Sequence, residues 1–435
     1  GTITLSQEAN FTFNGIAAQV PGILLPDTLG ILTIANPAGV SFNDTLSISE
    51  LVVATGAIMQ IDTLGNVMSD SGTVAGTVVN KGVLEVVGPL VFSDGSTYEH
   101  ARDAGSVPFA TWEVGSAFLL TGTVQDAPAN RVQDFYHVIF NTLNLGRNRD
   151  MGWNGNTIGG DVRVINTGSY RWQMSSASAS DSAEFTVMGD VIVEAGAFTV
   201  QGTSNALTTF ILHHYGNINV TGGNFSIARG SQGSGSGTTS WYLHEGNFLM
   251  SNATTQNSNP TPGNAKFVFA NQAGVQNLTL SNVTYGGGGL PIQVDSAATL
   301  NMDTTVVGGE GIFVLSSGAT LATAHLDGVS GALQTTGTIT LSQEVSFTFN
   351  GTAPQVTSTL MPDTVNNLTI NNPDTVVLSQ ETLINGVLRL MAGVFDNTIP
   401  FTLGPTGEIS YEGGSLLNPI TSIGEQTAEI PTVFA

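Results

Sequence analysis

Four Gly-Asx pairs recur at a nearly constant interval in the middle of the chain. Gly160-Asp161-Val162, Gly189-Asp190-Val191, Gly216-Asn217-Ile218 and Gly246-Asn247-Phe248 are separated by 29, 27 and 30 residues. After the first three comes a short apolar strand, then a glycine corner, then an aromatic-led strand. Val162 and Val164 precede Gly168-Ser169-Tyr170; Val191 and Val193 precede Gly196-Ala197-Phe198; Ile218 and Val220 precede Gly223-Asn224-Phe225. A third strand closes each turn, with Phe185 and Val187, Phe210 and Leu212, then Trp241 and Leu243. Each element alternates with period two, as a strand with one buried face must.

Like residues at like places, three strands at a time, describe an all-β parallel β-helix, or β-solenoid, with coils of about 27–30 residues. The columns Val162/Val191/Ile218/Phe248 and Tyr170/Phe198/Phe225 are expected to stack inside. With coils ~4.8 Å apart, a chain of this length suggests roughly 15 coils and a rod on the order of 70 Å. Gly/Ser-rich residues 230–239 and Asn/Pro-rich residues 252–263 read as corner insertions. Composition agrees, because Gly, Asn and the β-branched residues that dominate it make corners and pleated strands.

A second repeat is longer. Residues 1–15, GTITLSQEANFTFNG, return at 337–351 as GTITLSQEVSFTFNG, with two differences in fifteen positions. Pro26-Asp27-Thr28, Leu32-Thr33-Ile34 and Asn36-Pro37 return at the same offset of 336. Five blocks follow: 1–94 and 337–435 as matching flanks, 95–150 as an irregular insert, 151–270 as regular coils and 271–336 as their continuation.

The net charge of −23, with only ten Lys and Arg, would repel a phosphate backbone and disfavours nucleic acid and anionic lipid. No apolar run reaches the ~20 residues of a membrane-spanning helix, so membrane insertion is not expected. There is no cysteine to staple the fold. Gly1 is not an initiator, which leads us to expect a chain trimmed at its front.

The run FTFNGTAPQVTSTLMPDTVNNLTINNPDTVVLS resembles the Gly/Asn/Thr-rich repeats of large surface proteins exported by the bacterial type IX secretion system. So do Tyr98–Gly122, GNFSIARGSQ and SNATTQNSNP; the resemblance covers nearly the whole chain. The end, Ile430-Pro431-Thr432-Val433-Phe434-Ala435, resembles the junction before the sorting domain of such proteins. The resemblance implies a solenoid at the cell surface or in the extracellular matrix, with structural or adhesive use.

Candidate chemistry is sparse. Asp161 and Asp190, with Asn217 and Asn247 one and two coils further, would form a column able to share Ca²⁺. The competing reading, favoured because two members are Asn, is that these side chains build the corner. His213 and His244, each after a Leu of the third strand, are metal or acid–base candidates against the plainer reading of a solvated outer face. His100, Arg102 and Asp103, with Glu99 and Glu113, are the charged set a carbohydrate-active β-helix would use, or else an exposed ion-pair cluster. Trp112, Trp153, Trp172 and Trp241 are either sugar platforms or core, with core the better reading for the last two. No nucleophile elbow, phosphate loop or dinucleotide fingerprint is present.

The expectation is therefore a non-enzymatic surface solenoid without a cofactor, with glycan binding or a carbohydrate-active β-helix as alternatives. The repeated ends add head-to-tail self-association. Gly1, Ile3 and Leu5 would face Phe401 and Tyr411 of another subunit, since an unpaired strand edge is a template for further pairing.

Overall fold

The computed structural model describes residues 5–6, 8–175, 182–202, 209–229, 237–257 and 264–420. Residues 230–236 and 258–263 of the two corner insertions, Gly1, Ile3 and the terminal hexapeptide lie outside them. The described chain is a parallel β-solenoid. Its one helix among those residues, Gly328–Ala332, has five residues. Two compact units are present: Gly1–Trp241 with Asn252–Asn264, and Tyr242–Ser251 with Ala265–Ala435.

In the first unit, one ladder runs Val40, Met59, Val78, Tyr98, Phe118 and Val138, each pairing with the next at 19 or 20 residues. Residues 97–141, where the sequence shows no period, thus carry coils in the same column. The ladder continues through Val162, Val191 and Ile218, now at 24, 29 and 27 residues. All of these side chains are buried. Each apolar side chain in such a column contributes roughly 1.5–3 kcal/mol on burial, and the ladder fixes its register by backbone bonding.

Short and long coils differ at their corners. In the strand Thr45–Val53 the inward residues are Leu46 and Ile48, then Leu51 and Val53. The alternation slips at Ser49-Glu50, so one bent strand serves two faces. The long coils instead use separate strands, such as Arg171–Ser175 and Ser182–Val187, and the added residues fall between them. The 27–30-residue coil is therefore a property of the middle of the chain. In the strand Thr45–Val53 the corner needs only two residues.

The aromatic column also differs from expectation. Trp172, Phe198 and Phe225 stack in register, not Tyr170, which is partly exposed. Arg171 pairs with Ala197, so the corner after Gly168 holds two more residues than the corner after Gly196. In the third strand, Phe185 pairs with Leu212 and Val187 with His214.

In the second unit, Phe248 is buried and pairs with Leu278. A further column runs Leu300, Leu321, Phe347, Leu368, Leu388 and Ile409. The 336-residue repeat keeps its ladder register and its Asn–Gln clamp. Phe11–Phe13 pairs with Leu32–Ile34 as Phe347–Phe349 pairs with Leu368–Ile370. Asn36 Nδ2 donates to Ala17 O at 2.7 Å and Gln19 Oε1 at 2.8 Å; Asn372 Nδ2 donates to Ala353 O at 2.8 Å and Gln355 Oε1 at 3.1 Å.

Candidate functional site

The Asx column is built into the corner. Asp161 Oδ1 accepts the backbone N–H of Asp190 at 2.8 Å, and Asp190 Oδ1 accepts that of Asn217 at 2.7 Å. In the second unit Asn247 Oδ1 accepts the N–H and the side-chain amide of Asn277, both at 2.8 Å. A carboxylate or amide oxygen does the same work here, which is why the position alternates between Asp and Asn. His137 sits beside the column: its Nδ1 accepts the Asp161 N–H at 2.9 Å and lies 3.6 Å from Asp161 Oδ2. Among the described residues, no three acidic or imidazole side chains gather as a metal-binding group.

His213 meets Glu184 of the preceding coil, with Nε2 3.1 Å from Oε1 on the outer face. His244 lies in the other unit and stacks its ring on Tyr242, centroids 6.1 Å apart. His214, one residue beyond His213, is fully buried and its Nε2 lies 2.8 Å from Gly189 O.

The set around His100 is placed as structure. His100 follows Tyr98 on the strand Thr97–His100, and both are fully buried. Tyr98 Oη accepts from Asn80 Nδ2 at 2.9 Å, and His100 Nε2 contacts Ala104 O at 2.7 Å. Burial pushes the His100 imidazole down to about 4 and the Tyr98 hydroxyl up. Arg102 Nη1 donates to Gly82 O. Asp103 Oδ1 accepts the N–H groups of Val124, Gln125 and Asp126 at 2.8–2.9 Å. Burial alone would raise that carboxyl, but these bonds outweigh it and hold it below its usual value. Glu99 Oε1 accepts from Thr121 Oγ1 at 2.7 Å. Arg102 and Asp103 thus each bind backbone of a different neighbouring coil, and His100 is held by Ala104 O. The four tryptophans are buried as well. Trp172 Nε1 donates to Thr142 Oγ1 at 3.0 Å and Trp112 Nε1 to Gln133 Oε1 at 3.2 Å. None is a surface platform.

One polar group was not legible in sequence. Arg171 Nε and Arg229 Nη1 are buried without a hydrogen-bond partner among the described residues. Arg171 is lowered by burial and then by the charge of Arg229; Arg229 is lowered by burial. Gln201, wholly buried, is in register with Ser175 and Ala228, and neither of its side-chain amide atoms has a partner. Nothing in the spacing of Arg171 and Arg229 signals that one charge acts on the other, because they belong to different coils.

Of the residues expected at the chain's ends, Leu5 is partly exposed and Tyr411 is 59% exposed. Phe401 is buried, pairs with Thr382 and packs on Phe395 at 6.1 Å. No known protein family, curated protein or solved structure matches the chain.

Proposed function

We propose that this protein is an extracellular structural or adhesive β-solenoid of a bacterial surface or matrix, exported by the type IX route, and not an enzyme. The observation that carries this reading is the use made of its polar side chains. Asp103, Asp161, Asp190 and Arg102 each bind backbone of a neighbouring coil, and His100 is buried against Ala104 O, four residues on. Its working parts are then its stacked faces and edges. The resemblance of its repeats to type IX surface proteins supplies the location. Surface biotinylation and immunogold labelling of intact producing cells test this directly. Label outside the cell, lost when the export machinery is deleted, is the expected result; an exclusively cytoplasmic pool overturns it. Release of reducing or unsaturated sugar ends from polysaccharide, abolished by Asp103→Asn, would establish the carbohydrate-active alternative instead.

A second reading is glycan binding, favoured by Arg171 Nε and Arg229 Nη1, each buried without a partner among the described residues. Guanidinium groups suit a carboxylated or sulfated sugar. Calorimetry with a polyuronate should give binding that Arg171→Gln and Arg229→Gln each weaken at least about tenfold. Equal binding by all three proteins overturns this reading.

A further inference from the structure

Three coils of the second unit form a cavity of about 470 Å³, the size of a small-molecule site. Its walls come from Thr304 on one coil, from Ala324 to Asp327 on the next, and from Thr352 and Ala353 on the third. The ladder that carries these coils is continuous. Val275–Ser281 pairs with Thr299–Asn301, that strand with Thr320–Thr323, the next with Ser346–Phe349, and the last with Leu368–Val377. Each coil that lines the cavity therefore has a neighbour on both sides.

The walls are held from behind. Thr304 sits in a turn closed by Thr305 N–H donating to Met302 O at 2.8 Å, and the carbonyl of Asp303 accepts Ala324 N–H at 2.8 Å. His325 is fixed three times. Its N–H donates to Thr323 Oγ1 at 3.1 Å, its carbonyl accepts from Gln355 Nε2 at 3.0 Å, and its Nδ1 accepts the Asp327 N–H at 3.2 Å. Thr323 and Gln355 are both buried. The imidazole lies against Gly331, where any Cβ would collide with Nδ1, so only glycine leaves the ring its place. Asn372 Nδ2 holds the third wall, donating to Ala353 O at 2.8 Å. Side chains tied down in this way meet a ligand without being reordered by it.

The lining mixes hydrogen-bonding and apolar groups. With Nδ1 accepting, the His325 ring carries its N–H at Nε2 and is a donor there. Asp327 is exposed and precedes the helix Gly328–Ala332 without its side chain capping it, which leaves the carboxylate oxygens as acceptors. Thr304 and Thr352 are exposed and add hydroxyls that both donate and accept. Ala324, Ala353 and the half-exposed Leu326 supply methyl surface. Donors, acceptors and methyl groups side by side match a sugar ring, with its hydroxyls and its C–H faces. No Lys or Arg lines the cavity, and the Asp327 carboxylate disfavours an acidic sugar there. The first copy of the repeat has Ile16 where the second has Thr352. The Asn–Gln clamp is common to both copies; the hydroxyl belongs to the copy beside the cavity.

We propose that the cavity between Thr304, His325, Asp327 and Thr352 binds a neutral sugar residue of a glycan. Asp327 accepts from the sugar's hydroxyls, His325 Nε2–H donates to one, and Thr304 and Thr352 complete the polar contacts. Ala324 and Ala353 meet the C–H face. The site is separate from Arg171 and Arg229, which lie in the first unit and suit an acidic sugar. The inference rests on the adhesive reading for its purpose, since it gives a surface protein something to hold. It fails separately from that reading: a chain labelled at the cell surface can leave the cavity empty of sugar, and a cytoplasmic chain can still fill it.

With only six histidines, the chain is suited to ring signals from nitrogen-labelled histidine, and His325→Gln assigns the one that matters. The methyl glycosides of glucose, galactose, mannose and N-acetylglucosamine are titrated in, with methyl glucuronide as the acidic control. At least one neutral glycoside should shift the His325 ring signal at millimolar concentration, and the glucuronide should not. Asp327→Ala, at an exposed position, should weaken that binding at least about tenfold. Thr352→Trp, which fills the cavity from its exposed rim, should abolish it, whereas Ile16→Trp, at the same place in the first copy, should leave it unchanged. An unmoved His325 signal with every neutral glycoside, a stronger response to the glucuronide, or equal binding by Asp327→Ala and the unmodified chain overturns the proposal.

Discussion

Phe13 and Phe349 occupy the same place in the same sequence repeat, yet one is half-buried and the other wholly buried. Their backbone registers agree and so do the Asn–Gln clamps beside them. What differs is the coil on the N-terminal side. A solenoid coil carries its own corners and its own alternation, but half of its apolar burial comes from each neighbour. Local conformation is therefore a property of the repeat, and stability is a property of the stack.

That distinction can be broken by matched substitutions read through local hydrogen exchange, since a chain of two units need not unfold in one step. Phe349→Ala should have the largest effect, lowering protection around Phe347–Phe349 by about 3–5 kcal/mol, whereas Phe13→Ala should cost about 1–2 kcal/mol. Equal costs in the monomer would refute the difference in burial.

Acid should separate the units next. His100, in the unit of the first copy, is held neutral by burial at about 4, below its unfolded value of 6.5. The folded state then binds fewer protons than the unfolded state, so stability is intact above pH 6.5 and falls as pH drops towards 4. The loss approaches about 3 kcal/mol and should vanish in a stable His100→Gln variant. A titration in which that variant loses the same stability over this window would remove His100 as the cause.

Gln355→Ala should cost about 2 kcal/mol, because the side chain satisfies Gly351 N–H, Asn372 Nδ2 and two carbonyls of the coil before it. Gln19→Ala loses the bonds to Gly15 and Asn36 at a partly exposed site and should cost under ~1 kcal/mol. The smallest difference is expected for Asn36→Ala against Asn372→Ala. Both are wholly buried and make the same three bonds, so each should cost ~1–2 kcal/mol. A gap larger than ~1 kcal/mol between them would mean that the clamp also depends on the coils beyond it.

The 29- and 27-residue steps of Gly160, Gly189 and Gly216 were sufficient to place Val162, Val191 and Ile218 in one buried column. Period-two alternation and glycine corners are local, so sequence alone determined strands, parallel stacking and the repeat of a folded unit at 336 residues. It also made Asp161 and Asp190 ambiguous in the right way, since Asp and Asn interchange where a corner needs only an oxygen. Tertiary structure decided the rest. The two extra residues after Gly168 put Trp172, not Tyr170, over Phe198, a shift of corner length that periodicity cannot register. His100, Arg102 and Asp103 are close in sequence but do different work: Arg102 and Asp103 answer to coils about twenty residues away, whereas His100 is buried against Ala104 O, four residues on. Arg171 and Arg229 come within reach of each other's charge only through stacking. That Phe349 is wholly buried and Phe13 only half-buried is likewise invisible in the repeat's letters: burial is conferred by what lies above and below a coil, and only the stack supplies that.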